Sequence, residues 1–156
     1  MSNDFLDEEA QIAREQDENE LFDSHALRRR LRDLPDLQPV VKVGPTATIR
    51  DAIHGMVKSG VGIVMIVHDK RPLGVFSERD VLRKVAGSGL DIDAIEVSEL
   101  MTANPATLNF NAELVYALNV MEVGGYRHLP LLENDEPVAV VSMRDIPGFI
   151  DRKSVV

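Results

Sequence analysis

Two hydrophobic rhythms alternate along this chain, and the switches between them mark its elements. Ile63-Val64-Met65-Ile66-Val67 is an unbroken, mostly β-branched run, which predicts a strand buried on both faces. His128-Leu129-Pro130-Leu131-Leu132 has the same character, with Pro130 removing a ladder donor, which predicts an edge or an irregular point. Asp69-Lys70-Arg71-Pro72 and Asn134-Asp135-Glu136-Pro137 supply tight turns into further strands, Leu73 to Phe76 and Val138 to Val141. Upstream of each pair the period lengthens. Ile49, Ala52, Ile53, Met56 and Val57 recur at helical spacing, as do Leu114, Ala117, Leu118 and Met121. Thr46 or Thr48 serves as the first N-cap, and Gly60 and Gly124-Gly125 end the helices. Short extended pieces, Val40 to Val43 and Ala106 to Leu108, precede them, and helices begin at Ser77 and Ser142.

These similarities are an internal repeat. Val43 to Val81 lies on Leu108 to Ile146 without a gap, 65 residues apart. Ser77-Glu78-Arg79-Asp80 meets Ser142-Met143-Arg144-Asp145, and Ala47, Ala52, Met56, Gly60, Pro72 and Val75 meet identical residues. Only two copies of so long a period fit, so the sequence predicts an α/β fold: two β-α-β-β-α units packed on each other around related clefts. We place the first over 39–88 and the second over 95–152. Residues 1–38 form an acidic helical arm, with a broken apolar stripe from Phe5 to Leu34 in two helices parted near Asp23-Ser24. Ser24 is a candidate cap for the second helix, and Pro35 and Pro39 make an extended connector.

Composition narrows the function. The chain has 156 residues, ample for a buried core, and no apolar run long enough to span a bilayer. Its start lacks a basic or apolar leader, so it reads as cytoplasmic, with no membrane partner. Absence of cysteine excludes disulfides, thiolate zinc sites and cysteine nucleophiles. Of the formal net charge of −9, −8 falls within residues 1–24, where Arg14 alone opposes the acids. That asymmetry argues against nucleic acid, which needs clustered cations. Arg28-Arg29-Arg30 with Arg32 reads as a solvated helix face that offsets the acids, or else as a phosphate or partner patch.

The S-x-x-D of both copies admits two readings. Serine caps the helix while aspartate closes a capping box. Alternatively the strand-to-helix turn attracts an anion and the aspartate accepts two hydrogen bonds from a vicinal diol. Gly74, on the preceding strand, would let a ligand approach the backbone closely. His25, His54 and His68 have no metal-ligand spacing, Asp91-Ile92-Asp93 reads as a solvated loop, and Met56, Met65, Met101, Met121 and Met143 read as core filler.

Gly74 to Asp80, Tyr126 to Leu131 and Val140 to Asp145, with Val97 to Thr102 ahead of Pro105, resemble the cystathionine-β-synthase-type (CBS) domain. The tandem resembles a CBS pair, or Bateman module, over roughly residues 38–150. The resemblance implies two pseudo-symmetric clefts for adenosyl ligands such as AMP, ADP, ATP or S-adenosylmethionine, with no cofactor required. It implies ribose contacts from Asp80 and Asp145, with Ser77 and Ser142 near the phosphate or sugar. Arg127 and His128 would face phosphates, although His128 also reads as a hydrogen-bonded core residue. The matching positions in the first copy are Gly62 and Ile63, Ala139 replaces Gly74, and Pro147 interrupts the last helix, so the clefts are unequal. The resemblance also implies a homodimer through helix faces, for which Ala52, Met56, Ala117 and Met121 are small or adaptable enough.

Three functions compete. A regulatory sensor would act through a protein partner. A ligand-free dimerisation module would leave its clefts empty. An enzyme is disfavoured, because the chain has no phosphate loop G-x-x-x-x-G-K, no H-E-x-x-H and no G-x-S-x-G.

Overall fold

The two repeats fold alike. In the computed structural model, which describes residues 7–14 and 25–146, the first repeat runs β1 (Lys42–Val43), α1 (Ile49–Ser59), β2 (Ile63–His68) and β3 (Arg71–Ser77). It ends in α2 (Glu78–Asp80), which widens into a π turn over Val81–Val85. A connector carries α3 (Val97–Leu100) and β4 (Thr102–Ala103). The second repeat runs β5 (Leu108–Asn109), α4 (Leu114–Gly124), β6 (His128–Glu133) and β7 (Glu136–Ser142). A turn at 143–144 then leads to helical Asp145 and Ile146, so the last helix starts later than Ser142. Pro147, Ser24 and the apolar positions Phe5, Leu6, Leu21 and Phe22 lie outside the described residues.

The sheets are ordered β1-β2-β3-β4 and β5-β6-β7. Each hairpin is antiparallel, from Ile63↔Ser77 to His68↔Arg71 and from His128↔Ser142 to Glu133↔Glu136. Their two-residue turns, Asp69-Lys70 and Asn134-Asp135, take positive φ at both positions, the twist that suits a tight hairpin. Thr48 caps α1, accepting from Asp51 N–H at 3.1 Å while the Asp51 carboxylate accepts from Thr48 N–H at 3.0 Å. Gly60 and Gly125 end α1 and α4 at φ of 63° and 69°.

Each repeat is completed by a segment that precedes the other. Val97 and, partly buried, Leu100 and Met101 join Ile49, Val64, Ile66 and Phe76 in the first core. Leu31 and Leu34 join Leu114, Leu129, Leu131 and Val141 in the second. The backbone bonds match pair by pair. Val97 N–H donates to Ala47 C=O at 2.7 Å and Leu31 N–H to Ala112 C=O at 2.8 Å; Ile49 N–H donates to Ile95 C=O at 3.0 Å and Leu114 N–H to Arg29 C=O at 2.8 Å.

This changes the expectation for residues 1–38. Helix is present over residues 7–14, but of the second predicted helix the described residues after 24 hold only His25–Leu27, followed by a bridge from Arg30 to Glu113 and a 3-10 turn at Leu31–Asp33. Arg30 donates to Asn111 C=O at 2.7 Å, and Arg32 bonds Glu133 at 2.7 Å while lying over the Phe110 ring. Arg30 and Arg32 pin the segment to the second repeat.

Two more expectations are corrected. Ala52, Met56, Ala117 and Met121 are buried in the repeat cores, so they offer no surface to a second chain. The apolar residues that α1 and α4 leave exposed are Val57, Val115, Tyr116 and Val123. Of the two placements expected of Pro130, the edge is corrected, since the residue lies in the central strand of its sheet, while the ladder is irregular just beyond it, between Leu131 and Leu132. Val140, its partner on β7, turns both its N–H and its C=O to Gln38, so the Pro130 nitrogen points toward the β5 side. There β5 pairs only with Leu131 and Leu132, so the ladder on that side begins one residue after Pro130.

Candidate ligand cleft

Between the repeats lies a cleft of about 980 Å³ whose walls come from both. One wall is the β3–α2 turn. Here Ser77 caps the helix: Asp80 N–H donates to Ser77 Oγ at 3.3 Å, and Asp80 Oδ2 accepts from Ser77 N–H at 2.9 Å and Oγ at 3.1 Å. The other carboxylate oxygen, Oδ1, is 3.2 Å from Lys84 Nζ, one helical turn on. The capping role is therefore real, yet Ser77 and Asp80 also line the cleft.

The opposite wall is the strand start Arg127-His128 with Pro130. Gly62 lets it approach: a Cβ there would stand 2.9 Å from His128 Nε2 and 3.2 Å from Glu78 Oε2. His128 is brought under the first repeat and partly buried. Burial pushes its imidazole below the ordinary value, against the opposing pull of the Glu78 carboxylate. Arg79, Arg83 and Arg127 also line the cleft, and among the described residues none of their side chains makes a hydrogen bond or ion pair. Sequence reasoning missed Arg79, Arg83 and Lys84, although their spacing from Asp80 was the available signal.

The second S-x-x-D is built differently. Ser142 is buried and lines the cleft, but no bond joins it to Asp145. Asp145 does not line the cleft. Its Oδ2 accepts from Gln38 Nε2 at 3.2 Å, and the cavity it borders with Leu34 to Leu37 measures about 10 Å³. Gly74 is also placed elsewhere. A Cβ there would come within 2.8 Å of the Thr102 carbonyl, so its bare backbone admits the crossing strand β4 rather than a ligand. Thr102 and Asn104, on that crossing segment, do line the cleft. Met143, read as core filler, is exposed on the cleft wall.

The open and closed ends have a backbone cause. In the first repeat Met65 N–H donates to Val41 C=O at 2.8 Å, which zips the incoming segment to β2. The corresponding residue in the second repeat is Pro130, which has no N–H to give. That bond is missing between Pro130 and Ala106, and both residues line the cleft.

Chemically, the cleft offers a carboxylate that accepts, cations from both repeats and a partly buried histidine that burial makes harder to protonate. The described residues hold no group able to bind a metal ion, and no helix among them is long and apolar enough to cross a membrane. Asp93 of the Asp91-Ile92-Asp93 loop is taken by an ion pair with Arg50.

Comparison with known proteins agrees with this architecture. The CBS-domain profile matches residues 31–87 and 97–151, and the chain belongs to the CBS-domain family, with two domains in tandem. The first match begins at Leu31, the residue the second core swallows. The CBS-domain protein ATU1752 from Agrobacterium tumefaciens is 31% identical with a TM-score of 0.68, covering 77% of this chain and 98% of that one. The CBS domain protein PAE2072 from Pyrobaculum aerophilum, complexed with AMP, is 27% identical with a TM-score of 0.69, covering 82% and 100%. The uncharacterized protein MK0525 of Methanopyrus kandleri is 31% identical over 69% of this chain and 56% of its own length. For the Arabidopsis thaliana protein CBSCBSPB5 the match spans only 20% of that protein, at 29% identity.

Proposed function

We propose that this protein is a cytoplasmic regulatory module that binds an adenosyl ligand between its two CBS domains and passes occupancy to a protein partner, without catalysis. One observation carries the reading. A carboxylate at a strand-to-helix turn of one domain faces Arg127 and His128 of the other across a cleft of about 980 Å³. That volume suits a nucleotide. Asp80 would accept the ribose hydroxyls, with Ser77 beside it, while Arg79, Arg83 and Arg127 would meet phosphate. The cationic wall favours AMP, ADP or ATP over S-adenosylmethionine, whose sulfonium it repels. The AMP complex of a structural relative at 27% identity supports the same class.

Because the walls belong to different domains, a bound nucleotide ties them together, and any change in their relative position is linked to occupancy. A homodimer would carry that change outward through the exposed Val57, Tyr116 and Val123. Titration calorimetry with AMP, ATP and S-adenosylmethionine tests the reading. Saturable heat with at least one nucleotide is expected. Silence with every ligand would leave a purely structural, dimerising module.

A further inference from the structure

We propose that Gln38 shuts the second ligand position of this module, so that each chain takes one adenosyl ligand where its internal repeat would allow two. This rests on the reading of Asp80 as a diol acceptor and extends it to Asp145, the matching residue.

The two aspartates face equivalent stretches of backbone with different side chains. Gln38 pairs with Val140 and Thr102 pairs with Val75, and Val140 and Val75 are matching positions of the repeat. Gln38 and Thr102 are therefore counterparts. Thr102 is short, makes no side-chain hydrogen bond among the described residues, and borders the open cleft that holds Asp80. Gln38 is two atoms longer and places its amide Nε2 3.2 Å from Asp145 Oδ2. Arg144 Nε stands 4.0 Å from the other oxygen. Asp80 is bonded within its chain as well, but it borders open space, whereas the Gln38 side chain fills the approach to Asp145 that a ribose would need.

The backbone holds this latch in place. Gln38 N–H donates to Val140 C=O at 2.9 Å, and Gln38 C=O accepts from Val140 N–H at 3.0 Å. Three residues on, Val41 C=O accepts from Met65 N–H, the bond for which Pro130 has no counterpart in the other repeat. Upstream, Leu34 is buried in the second core. The segment in front of Asp145 is fastened on both sides of Gln38, and the space left there, about 10 Å³, is room for about one water. The segment in front of Asp80 is fastened upstream by Leu100 and Met101 and at β4, but downstream it has no counterpart of the bond between Val41 and Met65.

The latch is imperfect. Gln38 Oε1 is buried without a hydrogen-bond partner among the described residues, which disfavours the closed arrangement. Shortening the side chain removes both the block and the unpaired acceptor, so the site should open without loss of the fold.

Calorimetry and native mass spectrometry would count AMP and ATP bound per chain. Wild type is expected to bind one equivalent. Gln38→Thr, which copies the other repeat, is expected to bind two, the second within about tenfold of the first. Adding Asp145→Asn to Gln38→Thr should return the count to one. Gln38→Ser serves as a second opening variant should Gln38→Thr fold poorly. Two equivalents in wild type, or one in both folded opening variants, would overturn the latch while leaving the adenosyl reading intact. Binding of neither nucleotide by any variant would overturn both.

Discussion

Leu31→Ala tests whether the segment before the first repeat is part of the second. Leu31 is fully buried, against α4 through Leu114 and Ala117 and against the sheet through Leu129, Leu131 and Val141. Burying such a side chain is worth about 1.5–3 kcal/mol by transfer alone. The cavity left behind adds to this, because a helix on one side and a sheet on the other restrict collapse, which places the loss at about 3–4 kcal/mol within the range for buried leucines. For a chain of this size that is roughly 6–15 °C in Tm. The counterpart, Val97→Ala, removes two methyl-sized groups at about 0.8 kcal/mol each plus a smaller cavity, about 2 kcal/mol. Denaturant unfolding followed by circular dichroism gives both values, and amide exchange shows where protection is lost. Leu31→Ala should loosen His128–Glu133 and Glu136–Ser142, strands that lie almost a hundred residues away. If it instead costs under about 0.5 kcal/mol, as an exposed arm residue would, the packing argument is wrong.

The pH dependence of stability should carry the mark of His128. Its folded imidazole lies below the unfolded value of 6.5, with burial the largest cause; Arg127 and Arg144 lower it further, and Glu78 and Asp145 pull against them. Protons then bind the unfolded state first, so stability falls as pH drops below about 6.5. His128→Gln should flatten that fall in thermal melts between pH 7 and 5.5, and an unchanged slope would rule out the histidine as its source. Sedimentation of the wild type should give the mass of the proposed homodimer, and Val123→Lys combined with Tyr116→Glu, which places charge on an exposed apolar face, should lower it toward that of a monomer, with melting little changed. A dimer that persists would move the contact elsewhere.

Much of the fold was legible because the chain states it twice. Strands, hairpin turns and helix stops recur 65 residues apart, so each element was read from two independent samples. The exchange of segments was not legible, because the spacing breaks there. Leu34 to Gln38 takes four steps where Leu100 to Thr102 takes two, and an ungapped repeat ends before reaching them. Gly74 misled for a different reason: a missing side chain admits a ligand and a crossing strand equally well, and only the position of β4 decides. The two S-x-x-D motifs looked alike for the same kind of reason. What separates Asp80 from Asp145 is a bond from Gln38, 107 residues from Asp145 in sequence, that no local pattern foretells. Pro130 was noticed, but its effect on the cleft depends on which way its nitrogen points.

The most direct test of the account is AMP affinity in Asp80→Asn measured beside its melting temperature. Asn keeps an acceptor for Ser77 N–H and loses the ion pair with Lys84, worth about 0.3–0.5 kcal/mol, so the melt should move by no more than about 2 °C. A ribose held by the carboxylate loses a hydrogen bond to a charged group, about 1.5–3 kcal/mol, or roughly ten- to hundredfold in Kd. The account predicts that weakening with the melt nearly unchanged. AMP binding that is equal in wild type and Asp80→Asn would contradict it, and would leave Ser77 and Asp80 as a helix cap and nothing more.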